Sequence, residues 1–174
     1  MSTRRLQVVA VGTPAFDPRS LGEPMLAVLG VTAAQGKVHL ARPSYAFNKD
    51  RNQYHSNAVL RRMGALREPG FNFLLGVTDV DLFVPDAPFV FGEADREARV
   101  ALVSTFRLQP SSTDPKLARR LQVEAAHQTA HLLGLSFCEE PKCLLFVAQS
   151  PADVDRKNLG LCVQCRNELA RLNR

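Results

Sequence analysis

The chain has 174 residues, 45% of them apolar and 22% charged, with a formal net charge of +5. Those proportions fit a single globular domain with a sizeable core and exclude a disordered chain. No apolar run reaches the ~18 residues a membrane span needs, and the arginines fall in scattered pairs without interleaved aromatics, which argues against direct nucleic-acid binding.

Residues 6–11 form a short apolar run, read as a first buried strand and not as a signal peptide. The stretch 21–30 reads as a short helix interrupted by Pro24 and closed by Gly30, and 37–41 as a second strand. Residues 51–63 place Ala58, Val59, Leu60 and Met63 at amphipathic helical spacing. An apolar run over 71–83 reads as a central strand, the FVFGEAD stretch follows Pro85 and Pro88, and 100–108 reads as a further strand. Ser111, Ser112, Thr113 and Asp114 can each cap a helix, and Pro115 suits a first helical position, where its missing N–H costs nothing. The longest helical pattern runs from Pro115 to about Leu133 and stops at Gly134, and a last helix spans about 161–172. Strands first and a long helix after them imply a mixed α/β (α+β) single domain over residues 1–174.

His127 and His131 stand four apart on the long helix, so both imidazoles share one face, as two ligands of a zinc ion do. Gln128 follows the first histidine. Its carboxamide can hydrogen-bond a water but has no basic carboxylate to take a proton from it, and positioned base catalysis is worth about 10²–10⁴-fold. A third donor is not apparent. His39, His55, Glu139 and Glu140 qualify by chemistry alone, and the sequence does not choose among them.

The cysteines form two close pairs. Four residues separate Cys138 from Cys143, two separate Cys162 from Cys165, and eighteen lie between the pairs. That is the spacing of a four-thiolate structural zinc site, each pair spanning adjacent tetrahedral corners. With no export signal the chain is expected in a reducing cytoplasm, where paired cysteines bind metal more often than they form disulfides. Such a site contributes roughly 10–16 kcal/mol of apparent binding energy, comparable to the stability of a whole domain.

The pattern His127-x-x-x-His131-x-x-Gly134-x-x-Phe137-Cys138-x4-Cys143-x-Leu145, followed by Cys162-x-x-Cys165, resembles the archaemetzincin family of zinc metallopeptidases, whose signature is HExxHxxGxxHC, then C-x-M and CxxC. Upstream, residues 76–85, 89–94 and Arg51-Asn52-Gln53-Tyr54 with Ser56 resemble the same family. The resemblance implies a metzincin-like mixed sheet with helices and a C-terminal four-cysteine zinc site. It also marks the departures: Gln128 stands at the family's catalytic glutamate, Phe137 at its third zinc histidine and Leu145 at its Met-turn methionine. On those departures the expectation is a protein that is not an enzyme. It would hold one structural zinc on the cysteines and a second at His127 and His131. By resemblance to zinc-bound archaemetzincin-like regulators, it would act in transcription through protein–protein contact. The implied partner is the N-terminal domain of a CarD-type regulator, which places the chain in the cytoplasm, at the nucleoid through that partner. The alternative is an active zinc aminopeptidase of the archaemetzincin family with an atypical site.

Overall fold

The computed structural model describes residues 3–109 and 113–174. Its centre is strand β1 (Arg4–Val11), whose inner residues are buried on both faces. Leu6 and Val8 point into one apolar cluster, Val9 and Val11 into the other. A continuous apolar run is what a strand covered on both faces requires, and such strands pair in parallel. Helical turns follow, at Pro18–Leu21, in α1 (Gly22–Pro24) and at Met25–Leu29, and they end at Gly30 in the left-handed region.

Strand β2 (Val31–Gln35) then pairs in parallel with β1. The strand expected at 37–41 is therefore displaced. Val31 and Ala33 pack into the core, whereas Leu40 makes only an isolated bridge to Val11. The helix expected from residue 51 begins later. β3 (Phe47–Asn48) and β4 (Gln53–His55) form a small sheet with β6 (Leu82–Phe83), and α2 (Ser56–Met63) starts only after it. The pairing of Tyr54 with Leu82 and His55 with Phe83 takes the residues that helical spacing alone assigned to α2.

Strand β5 (Phe73–Thr78) is buried throughout and lies between β1 and β8 (Val100–Ser104), parallel to both. β7 (Gly92–Asp95) runs antiparallel to β8 and closes the five-stranded order β2-β1-β5-β8-β7 as an edge strand. The long helix α3 (Asp114–Leu132) has Pro115 in its first turn, and Gly134 beyond its end adopts φ +103°. The expected capping role of Ser111 and Ser112 lies outside the described residues. A short helix that the sequence reading passed over, α4 (Pro151–Arg156), is capped by the Ser150 hydroxyl on the Asp153 N–H. α5 (Val163–Leu172) is the last element.

The architecture is the expected mixed α/β single domain. The sheet carries α3 and the helical turns 18–29 on one face, with α2 and the small sheet on the other. Among the described residues no helix is long and apolar enough to cross a membrane.

Candidate functional site

The loop after α3 carries Cys138 and Cys143, while Cys162 caps α5 and Cys165 lies in its first turn. Folding brings the four together: all their Sγ atoms lie within 4.8 Å of one another. The Cys138–Cys162 separation is 3.8 Å, which matches the ~3.8 Å edge of a tetrahedron with ~2.3 Å Zn–S bonds. Backbone N–H groups of Glu140, Leu145 and Cys162 donate to the sulfurs at 3.4–3.5 Å. Such donors favour thiolates. The Cys162 thiol is lowered to about 7, first by a backbone hydrogen bond from the Cys165 N–H and then by the neighbouring thiols. Burial pushes the Cys138 and Cys165 thiols up. Four sulfurs converging at this spacing fit a zinc ion by donor type and geometry.

The histidines fit a metal in a second way. His127 is buried in the middle of α3, and its Nδ1 lies 2.8 Å from the Leu144 carbonyl oxygen. The Nδ1 of His131 lies 2.8 Å from the Leu135 carbonyl oxygen. A carbonyl only accepts, so each Nδ1 carries the proton and donates it, and each Nε2 is left bare. The two bare Nε2 atoms face each other at 3.1 Å. A proton between them is disfavoured. Burial lowers His127 well below its ordinary range, helped by the Lys157 charge and by His131, and burial also lowers His131. Two neutral lone pairs at this distance repel, and an ion that accepts both relieves the repulsion. Two ligands on tetrahedral zinc stand about 3.3–3.4 Å apart, close to the observed spacing.

Beneath the pair lies a buried charge network that the sequence reading missed. The Lys157 ammonium donates to Glu124 Oε2 at 2.9 Å and to the Phe146 carbonyl at 2.7 Å, and sits 3.2 Å from His127 Nδ1. The Lys157 side chain is fully buried and that of Glu124 nearly so. Since Nδ1 is itself a donor, the ammonium contributes charge to it and no hydrogen bond. The network joins α3 to the 143–146 turn that supports His127. Leu144 and Leu145 are fully buried in that turn. A signal for Glu124 existed: it precedes His127 by three residues on the same helical face. Lys157 had none, being 33 positions from its carboxylate.

The pair opens onto a cleft of ≈ 870 Å³ that runs along edge strand β7. Glu93, Gln128, Phe89, Phe137 and Val147 line it together with both histidines. Gln128 is buried and presses on Gly92, where an added Cβ would come within 3.0 Å of its carboxamide nitrogen. Phe137 is 67% exposed at the mouth, its ring 4.6 Å from that of His131 and 6.1 Å from that of His127. It stands where a third ligand belongs and offers no donor atom. Among the described residues the cysteine quartet is the only group of three or more metal-binding side chains within ligating reach. None of His39, His55, Glu139 and Glu140 therefore completes the histidine site. His55 instead packs edge-on against Phe83, and Glu140 accepts the Lys142 N–H.

The family model of Peptidase family M54 matches residues 30–171. The chain belongs to this peptidase family. Among its M54 relatives, an archaemetzincin of Methanocaldococcus jannaschii is 35% identical over 160 residues, covering 88% of this chain and 83% of the relative. The crystal structure of archaemetzincin from Methanopyrus kandleri superposes with a TM-score of 0.85 at 30% identity, over 98% of this chain and 95% of that one. A zinc-dependent peptidase from Methanocorpusculum labreanum gives 0.84 at 28% identity, over 94% and 99%.

M54 membership overturns the expectation that the chain is not an enzyme, because the family is a peptidase family and the near-full-length structural relative from Methanocorpusculum labreanum is a zinc-dependent peptidase. It overturns with it the reading as a transcription regulator, which rested on resemblance to archaemetzincin-like regulators and not on any residue of the site. Two changed side chains in a retained peptidase scaffold alter how a site works; they do not by themselves assign it a different activity.

Proposed function

We propose that this chain is a zinc-dependent peptidase acting on peptide amino termini, with the cysteine quartet as its structural metal site and His127 and His131 as its catalytic metal ligands. The observation that carries the reading is the pair of bare Nε2 atoms 3.1 Å apart, each fixed by a backbone carbonyl behind it and opening on a cleft. Zinc, when bound, would polarise the scissile carbonyl and acidify a water.

The chain's own residues do the rest. β7 is the edge strand along the cleft and can pair with an extended peptide through its outer backbone groups. Phe89 and Val147 give side chains of the substrate an apolar wall. Of the two carboxylates lining the cleft, Glu124 is committed to Lys157, whereas Glu93 accepts the Ser56 hydroxyl at Oε2 and keeps Oε1 to meet a substrate's amino group. Gln128 can orient a water through its carboxamide and cannot deprotonate it, so the reaction runs about 10²–10⁴-fold slower than with a carboxylate there.

The test is hydrolysis of a panel of aminoacyl-coumarin amides by the zinc-loaded chain at high enzyme concentration, beside His127→Ala and N-acetylated substrates. Turnover that is lost in the variant and on acetylation is expected. Absence of turnover on every substrate, or equal turnover by His127→Ala, overturns the reading.

A further inference from the structure

The histidine site is short of one protein donor. Each imidazole is locked in place and presents a lone pair, yet the third side chain against them is the phenyl ring of Phe137. Among the described residues no other His, Cys, Asp or Glu joins the pair within ligating distance. The space beyond the ring is not filled by protein: both histidines and Phe137 line the open cleft. A site with two fixed donors and an open side holds a metal weakly alone, and more tightly when a bound molecule brings donors of its own.

We propose that the missing ligation is supplied by the substrate: a neutral amine and the neighbouring carbonyl oxygen of a peptide's first residue complete the site as a five-membered chelate, so that metal and substrate bind cooperatively. This rests on the reading of His127 and His131 as metal ligands and specifies what the pair binds with. The ligand class follows from the site. Two imidazoles leave two tetrahedral positions, which an α-amino amide would fill with one nitrogen and one oxygen, and expansion to five-coordination would leave a place for the water. The amine keeps N–H groups to donate to Glu93 on the facing strand. The apolar lining at Phe89, Phe137 and Val147 selects a hydrophobic first side chain. A molecule with only a carbonyl to offer gains far less. Phe137 on this account is a specificity residue: by withholding a ligand it makes metal retention depend on a free amino terminus.

The experiment is a zinc titration of the full chain with its cysteine site already filled, reading the affinity of the second zinc. It is made alone, with L-leucinamide, and with N-acetyl-L-leucinamide, in the wild type and in Phe137→His. The variant changes a mostly exposed side chain, so its folding is not at stake. In the wild type, leucinamide should tighten the second zinc by about tenfold or more, within the usual range of coupling between sites, and the acetylated compound should not. Linkage requires zinc to tighten leucinamide by the same factor. Phe137→His should hold the second zinc tightly without leucinamide and lose most of the coupling. A second zinc that binds the wild type equally well with and without leucinamide overturns the chelate while leaving the metal centre intact. No second zinc in either protein under any condition overturns the metal reading itself.

Discussion

Lys157→Met isolates the buried network beneath the histidines. The Lys157 side chain is fully buried and its Glu124 partner is 3% exposed. Methionine keeps much of the stem's volume and removes the charge. The variant leaves a carboxylate in the core without its counter-ion, a change that costs about 3–5 kcal/mol. It also strips the Phe146 carbonyl of its donor at 2.7 Å, worth about 1–3 kcal/mol more for an unsatisfied buried acceptor. The sum is a large share of a stability of about 5–15 kcal/mol. The loss must also depend on pH. Burial already raises the Glu124 carboxyl above its ordinary value, and Lys157 is what pulls it back down; without the lysine it rises further. A carboxyl whose folded pKa exceeds its unfolded one holds a proton that the unfolded chain has released, so stability falls as pH climbs from the unfolded value through the folded one. Lys157→Met should therefore be less impaired at pH 5 than at pH 8. Glu124→Met with Lys157→Met removes both charges and should recover most of the loss. Urea denaturation of the four proteins at the two pH values, with metal retained, gives the coupling. A loss below about 1 kcal/mol for the single variant at pH 8, or a double variant no better than the single, refutes the argument.

Cys143→Ser or Cys165→Ser should release the structural metal and unfold or aggregate the chain, since three thiolates do not replace four; thermal melting checks this, and an unchanged melt removes the structural role. Gln128→Glu restores a carboxylate beside His127 and should raise kcat by about 10²–10⁴-fold, read with the preferred aminoacyl amide. Asp155→Asn should cost about 1.5–3 kcal/mol at neutral pH, because the Asp155 oxygens accept from buried Arg120 at 2.8 Å each. Arg120 holds the Asp155 carboxyl below its usual value, so that stability is present above the unfolded carboxyl pKa and lost as pH falls through the folded one. The difference between wild type and variant should vanish in strong acid.

The cysteine quartet was legible because its spacing encodes a tetrahedron, and the chain brings the four sulfurs together as that spacing requires. The facing imidazoles were legible because four residues make one helical turn. What the sequence withheld was long-range. Whether the second strand ran over 31–35 or 37–41 depended on which segment found β1, and Val31 is the residue that fits the core. Residues 53–55 carry a helix-compatible pattern and become a strand only because Leu82 and Phe83 are there to pair with them. Lys157 reads as an ordinary surface lysine until Glu124 and the Phe146 carbonyl close around it. The substitutions at 128 and 137 were plain in the sequence, but their meaning was not: reading them as loss of enzymatic function set two positions against the evidence of the whole scaffold.

The central claim is that His127 and His131 form a metal centre, and anomalous diffraction at the zinc edge tests it most directly, on crystals grown with excess zinc and L-leucinamide. Two peaks per chain are expected, the first among the four Sγ atoms and the second about 2.0–2.1 Å from both Nε2 atoms on the cleft side. A single peak among the sulfurs, with the two imidazoles in direct contact and no metal between them, would contradict it.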